Sequence, residues 1–249
     1  MDEPLRLYGM KAVVTSAASG IGEAVARTLA KHGATVLAVD EANSGIERQF
    51  ASVKGVEGMA AGLRDATRMP ALIEEAIGRL GALDILVNEF ALDPPAPLGA
   101  GESALDLLLE SRVNLIMAIC RSALTHLKKS PAGRIINMGF LRSAFAADAG
   151  AAFTRAEQDL AALTRALAAE TGQFGITANY VQPGAIMTPA SREVFRKNKS
   201  LRDFCIGNSA ARRLGEPVDV AKVVLFLASD DAVFVSGTGV TVDGGRSAA

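Results

Sequence analysis

Short, nearly unbroken apolar runs alternate with longer segments of helical spacing along most of this chain, and that alternation limits the fold more than any other feature. Lys11–Thr15 (KAVVT) and Thr35–Val39 (TVLAV) read as strands. Between them, Gly22–Lys31 has helical spacing, with Ile21, Val25 and Leu29 on one face and Gly33 as a stop. The spacing then predicts a helix over Met69–Leu80, a strand over Asp84–Val87, and a long helix over about Glu102–Lys128. A strand over Arg134–Met138, a helix over Ala151–Ala169 and a strand over Ile176–Val181 follow. A helix over Val218–Ala228 and a strand over Thr238–Val242 close the pattern. Strands this apolar must be covered on both faces, so the expectation is an α/β fold. It is a Rossmann-type, doubly wound parallel sheet of about seven strands with helices on both sides.

The 249 residues fit one such unit, and no linker or repeat divides them, so residues 1–249 are expected to form a single domain. The more polar stretch 189–215 is the expected lid over a pocket. A chain with 49% hydrophobic and 21% charged residues has material for a sizeable core, which argues against disorder. Its net charge of −1 offers no bulk attraction for nucleic acid or an anionic membrane. Cys120, Cys205, His32 and His126 make no ligand cluster, so no metal is expected. The N-terminus carries acids where a secretion signal needs bases, and no apolar run reaches membrane-spanning length. The expectation is a soluble cytoplasmic protein.

The first strand runs into Thr15-Ser16-Ala17-Ala18-Ser19-Gly20-Ile21-Gly22. A turn of small residues at a helix start presents free N–H groups and the positive end of the helix dipole, and both suit a pyrophosphate. Ser16, Ser19, Gly20 and Ile21 are therefore candidate nucleotide contacts. Asp40 ends the second strand, where a carboxylate can accept from both hydroxyls of an adenosine ribose and would repel a 2′-phosphate. Each feature also has a plain alternative, a tight turn and an ordinary surface acid; their spacing favours the nucleotide.

These residues resemble the short-chain dehydrogenase/reductase family. TSAASGIG is similar to its TGxxxGIG turn, and Leu83–Asn88 (LDILVN) to its fourth strand. Asn114 in Val113-Asn114 falls on its structural and catalytic asparagine, and Gly133–Asn137 (GRIIN) on its fifth strand. Pro183–Thr188 (PGAIMT), Arg213–Pro217 (RLGEP) and Val242–Gly245 (VDGG) resemble its later signatures. The resemblance spans nearly the whole chain. It implies an NAD cofactor held further by Leu63, Asn88, Pro183, Gly184, Ile186 and Thr188. It also implies pairing of the two long helices across a dyad; with Leu105, Leu107, Leu108 and Leu109 unable to face inward together, a homotetramer is expected, and a dimer next.

The resemblance breaks at the chemistry. The family's serine, tyrosine and lysine positions fall on Phe140, Phe153 and Glu157, and only Asn114 of the tetrad is kept. The tyrosines are Tyr8 and Tyr180, and no lysine lies between Lys129 and Lys197, so no shift of frame restores the set. On the cofactor side, Ser16 stands for the first glycine of the turn. Asn88-Glu89-Phe90-Ala91 stands for NNAG, placing a ring and an acid toward the ribose and nicotinamide, and Gly62 stands for an adenine-contacting aspartate. Three readings follow: a member that binds NAD weakly or not at all and lacks catalysis; an enzyme with rewired chemistry that uses Glu157 on a small molecule, near Arg142, Asp148 or Arg155; and an ordinary dehydrogenase with an unrecognised proton donor.

Overall fold

The structure is a computed structural model that describes residues 6–90, 102–139 and 146–245; of residues 102–105 and 146–150 it describes the backbone. The strands are β1 Lys11–Thr15, β2 Thr35–Asp40, β3 Val56–Ala60, β4 Ile85–Asn88, β5 Arg134–Met138, β6 Thr177–Pro183 and β7 Gly239–Val242. The helices are α1 Gly20–Lys31, α2 Ile46–Phe50, α3 Met69–Leu80, α4 Glu102–Leu127, α5 Ala146–Thr171, α6 Pro189–Lys197, α7 Lys199–Gly207 and α8 Pro217–Ala228. All seven strands pair in parallel in the order β3-β2-β1-β4-β5-β6-β7, the doubly wound sheet the alternation predicts. The order reverses between β1 and β4, and ligands of such sheets bind beyond the strand ends at that point.

The period of two along each strand divides the core. Ala12, Val14, Val36 and Ala38 face the layer holding Val25 and Leu29 of α1 and Val224 of α8. Val13, Leu37 and Val39 face the layer holding Ile73 of α3, Ile119 of α4 and Leu160 of α5. Each buried leucine or isoleucine contributes roughly 1.5–3 kcal/mol by leaving water, so two continuous layers hold the sheet from both sides.

Several expected boundaries shift for local reasons. α1 starts at Gly20 rather than Gly22; Gly20 itself takes φ +61, which glycine adopts at little cost. The fourth strand starts after Asp84, whose carboxylate accepts from the Lys11 N–H at 2.7 Å and from the Ser130 hydroxyl at 2.5 Å. α5 extends to Ala146 and Thr171, beyond the apolar spacing that marks its middle. β6 runs from Thr177 through Pro183, and β7 starts one residue late at Gly239. The sequence reading passes over α2 and β3. β3 (VEGMA) has a charge and a glycine where a strand pattern needs apolar residues, and it is placed by pairing with β2. Residues 189–215 contain two helices, α6 capped by the Thr188 hydroxyl and α7 by the Asn198 carboxamide. Of the four leucines, Leu109 is buried and Leu107 stands 68% exposed.

Candidate functional site

At the carboxyl end of β1 the chain turns through Ser16 into α1. Ser16 sits at φ +48, in the left-handed region where a side chain is unfavourable and the family's glycine is at ease. Gly22 fits against this turn because it has no Cβ; one would collide with the Ser16 carbonyl oxygen. A Cβ on Gly20 would lie 3.4 Å from the Thr188 methyl, so Thr188 overhangs the turn from the start of α6. Ser19 is the N-cap of α1 yet makes no side-chain cap bond, and Ile21 is buried beneath it.

Two carboxylates occupy main-chain donors here, and a third lies beside them. Asp40 accepts from Ala18 N–H and from Glu41 N–H, each at 2.7 Å, tying the end of β2 to the turn. Glu41 accepts from Leu63 N–H at 3.1 Å and meets Arg64 at 3.3 Å. Glu89 follows β4; its main-chain N–H donates to the Thr15 hydroxyl, which donates back to the Glu89 carbonyl. Its carboxyl lies near the Gly22 N–H at the start of α1. Burial and the nearby Asp40 charge push its pKa up to about 8, against the lowering effect of Gly22. Its Oε2 is sealed from solvent without a hydrogen-bond partner.

The fold therefore gathers Ser16, Ser19, Gly20, Asp40 and Thr188 around one turn, with the buried Leu63 held by Glu41 next to Asp40. Asn88 is buried, donating to the Asn137 carboxamide oxygen at 2.8 Å and to Cys120 Sγ at 3.2 Å, which braces β4 against β5. Pro183 ends β6, and Gly184 passes so close to Asp243 that a Cβ would meet that residue's Cβ at 2.5 Å. Ile186 is buried and bridges to Gly215. Phe90 departs from the expectation: its ring turns into the core layer of Leu63 and Leu115 instead of facing a ligand. Glu89 and Glu41 are the acids that sequence reading underrated, since nothing in the chain order shows which main-chain N–H a carboxylate will reach.

The second region is the face of α5. Phe153 is buried with Leu109, Val113, Ala152 and Ala156. One turn further along, the half-buried Glu157 accepts from the Gln182 carboxamide of β6. Gln182 also lines a shallow open cleft with Pro183, Phe204, Asn208, Arg213 and Asp243. Arg155 pairs with Asp106 at 2.5 Å, and Asn114 is exposed on α4. Phe140 and Arg142 lie outside the described residues, as does the Asp148 side chain. Among the described residues, no group of His, Cys, Asp or Glu could hold a metal ion, and no helix is long and apolar enough to cross a membrane.

The turn of Gly20 and Gly22 with Asp40 beside it fits the phosphates and adenosine ribose of a dinucleotide: it stands at the start of α1, whose first N–H groups lack helical partners, and Asp40 keeps acceptor capacity on both oxygens. A family model described as enoyl-(acyl carrier protein) reductase matches residues 16–247. A 3-oxoacyl-(acyl-carrier-protein) reductase of Pseudomonas aeruginosa is 33% identical over 247 residues, covering 97% of this chain and 98% of the relative. An L-fucose dehydrogenase of Mus musculus is 32% identical over 248 residues, covering 96% of this chain and 89% of the relative. A solved structure described as a gluconate dehydrogenase from Agrobacterium tumefaciens superposes with a TM-score of 0.81 at 27% identity, covering 96% of each chain.

Proposed function

The chain belongs to the short-chain dehydrogenase/reductase family of oxidoreductases, and from that premise we propose that it is a member that binds NAD(H) weakly and has little or no carbonyl-reducing activity. The observation that carries this reading is the α5 face. Where the family resemblance expects a tyrosine, Phe153 is packed into apolar surroundings and has no proton to transfer. Where it expects a lysine, Glu157 is a carboxylate bound to Gln182. Loss of one positioned acid or base typically costs roughly 10²- to 10⁴-fold in rate.

The turn from Ser16 to Gly22 and Thr188 would hold the phosphates, and Asp40 the ribose hydroxyls. Such a cofactor supplies a hydride donor or acceptor when bound. Asp40 favours NADH over NADPH, because a 2′-phosphate would bring two negative charges to one carboxylate. A second reading rests on Glu157, which Gln182 positions at the rim of an open cleft, where it would act as a base on a small molecule. The test is steady-state NADH oxidation against ketones, aldehydes and quinones, with calorimetric titration of NADH and NADPH. Negligible turnover with NADH the tighter ligand is expected. Turnover near roughly 1 s⁻¹ overturns the reading, and its loss in Glu157→Gln would establish the second.

The homotetramer is a proposal of the same kind. Leu107 on α4, and Val233 and Phe234 after α8, stand exposed as apolar surface for further copies. A monomeric mass by light scattering at micromolar protein would sink it.

A further inference from the structure

The segment that holds α6 and α7 carries the charge that the turn after β1 lacks. Residues 189–215 contain seven lysines and arginines against two acids, a net charge of +5 in a chain whose total is −1. Part of that charge is already engaged. Glu193 accepts from Arg196 at 2.8 Å and meets Lys197 at 3.2 Å, Asp203 accepts from Arg202 at 2.7 Å, and Asp219 accepts from Arg213 at 2.7 Å. Arg192 stands exposed and, among the described residues, has no ion-pair partner. It follows the N-cap Thr188 by one helical turn, and its N–H donates to the Thr188 carbonyl at 2.9 Å. Residues four apart share a helix face, and long side chains lean back over the turn before them. Arg192 therefore rises from the face of α6 whose Thr188 methyl overhangs Gly20. At the turn itself, Asp40 and Glu41 bring negative charge, and Arg64 is drawn to Glu41 at 3.3 Å.

We propose that Arg192 is a phosphate-binding residue, which supplies from α6 the positive charge that a pyrophosphate needs beside Asp40 and Glu41. This rests on the NAD(H)-binding reading above and adds to it a residue outside the turn. The turn offers main-chain N–H groups and the end of a helix dipole, worth roughly half a charge. A pyrophosphate is a dianion, so that share leaves most of its charge unmet. A guanidinium is planar, always charged and able to donate to two phosphate oxygens together. Arg192 can turn to a phosphate without breaking an ion pair, whereas Arg196, Arg202 and Arg213 would each have to leave a carboxylate. Those engaged cations raise the concentration of anions around the segment rather than hold one.

The test is calorimetric titration of the full chain with NADH and with ADP-ribose at low and at high potassium chloride. ADP-ribose carries the pyrophosphate without the nicotinamide, so it reports on the phosphate contacts. Wild-type affinity for both probes should fall as salt rises. Arg192→Gln should bind each probe roughly tenfold more weakly at low salt, the loss of one charge-assisted contact, and should depend less on salt. Arg192→Lys keeps the charge without the planar fork and should lie between the two. Arg202→Gln removes a cation from the same segment and should stay within about twofold of wild type, as an exposed, engaged charge does. The melting temperature of Arg192→Gln should match that of wild type, because the side chain is exposed. Wild-type affinity in Arg192→Gln overturns the inference while leaving NAD(H) binding intact. Equal losses in Arg192→Gln and Arg202→Gln also overturn it, because the charge of the segment would then act as a whole. If the wild type binds neither probe at either salt, both this inference and the NAD(H) reading fail.

Discussion

The turn after β1 and the Phe153 face of α5 lie at the same end of one sheet, yet they depart from the family pattern in opposite ways. At the turn, charge has been added: Glu89 stands where the family pattern has an asparagine, beside Asp40 and Glu41, which accept from main-chain N–H groups. At α5, polarity has been taken away around Phe153, which is packed with Leu109 and Ala156, and Glu157 is engaged by Gln182. The first region keeps the means of holding an anion and is crowded by acids of its own. The second retains packing in place of a proton donor. A helix face can lose its chemistry and still be held by burial, whereas a buried turn must have its N–H groups satisfied by something, whether a ligand or a side chain.

The largest expected effect tests the α5 side. Combining Phe140→Ser, Phe153→Tyr and Glu157→Lys should raise NADH-dependent ketone reduction on the order of 10²-fold or more over wild type, since the three act as a unit. Phe153→Tyr alone should do little, because the Glu157 carboxylate would raise the new phenol's pKa rather than lower it. Equal gains from the single and triple variants, measured as initial rates at saturating NADH, would break the contrast between the two regions.

A smaller effect sharpens the turn side. Glu89 titrates at about 8 in the fold, against 4.5 without its surroundings. The native state therefore keeps a proton that the unfolded chain loses across that window. Its contribution to stability falls as pH rises from 4.5 to 8, and above 8 the cost of the buried carboxylate is present in full. Glu89→Gln removes that cost. Urea unfolding should show the variant close to wild type near pH 5 and more stable by on the order of 3 kcal/mol at pH 9. A difference that stays constant with pH would mean that the carboxylate is not taken from water as the fold implies.

Much of this site was legible in the residues. The small-residue turn, Asp40 at a strand end, and the Phe153 and Glu157 pair four apart on a helix all depend on local spacing, and each falls on the element expected of it. What was not legible has a common cause. Phe90 looked like a side chain facing a ligand, but alternation at the end of β4 turns it into the Leu63 layer. β3 carries too little pattern to announce itself and exists through its ladder to β2.

By itself, then, the order of residues determined the layers, the parallel sheet and the position of the small-residue turn, because apolar period and turn chemistry are properties of neighbours in the chain. Only the tertiary structure decided where the acids go. Glu89 and Gly22, 67 positions apart, meet because β4 pairs beside β1 and brings a carboxyl to a helix end that has donors to spare. An N–H left open by one element and an acid carried by another become neighbours only once the sheet has brought them together.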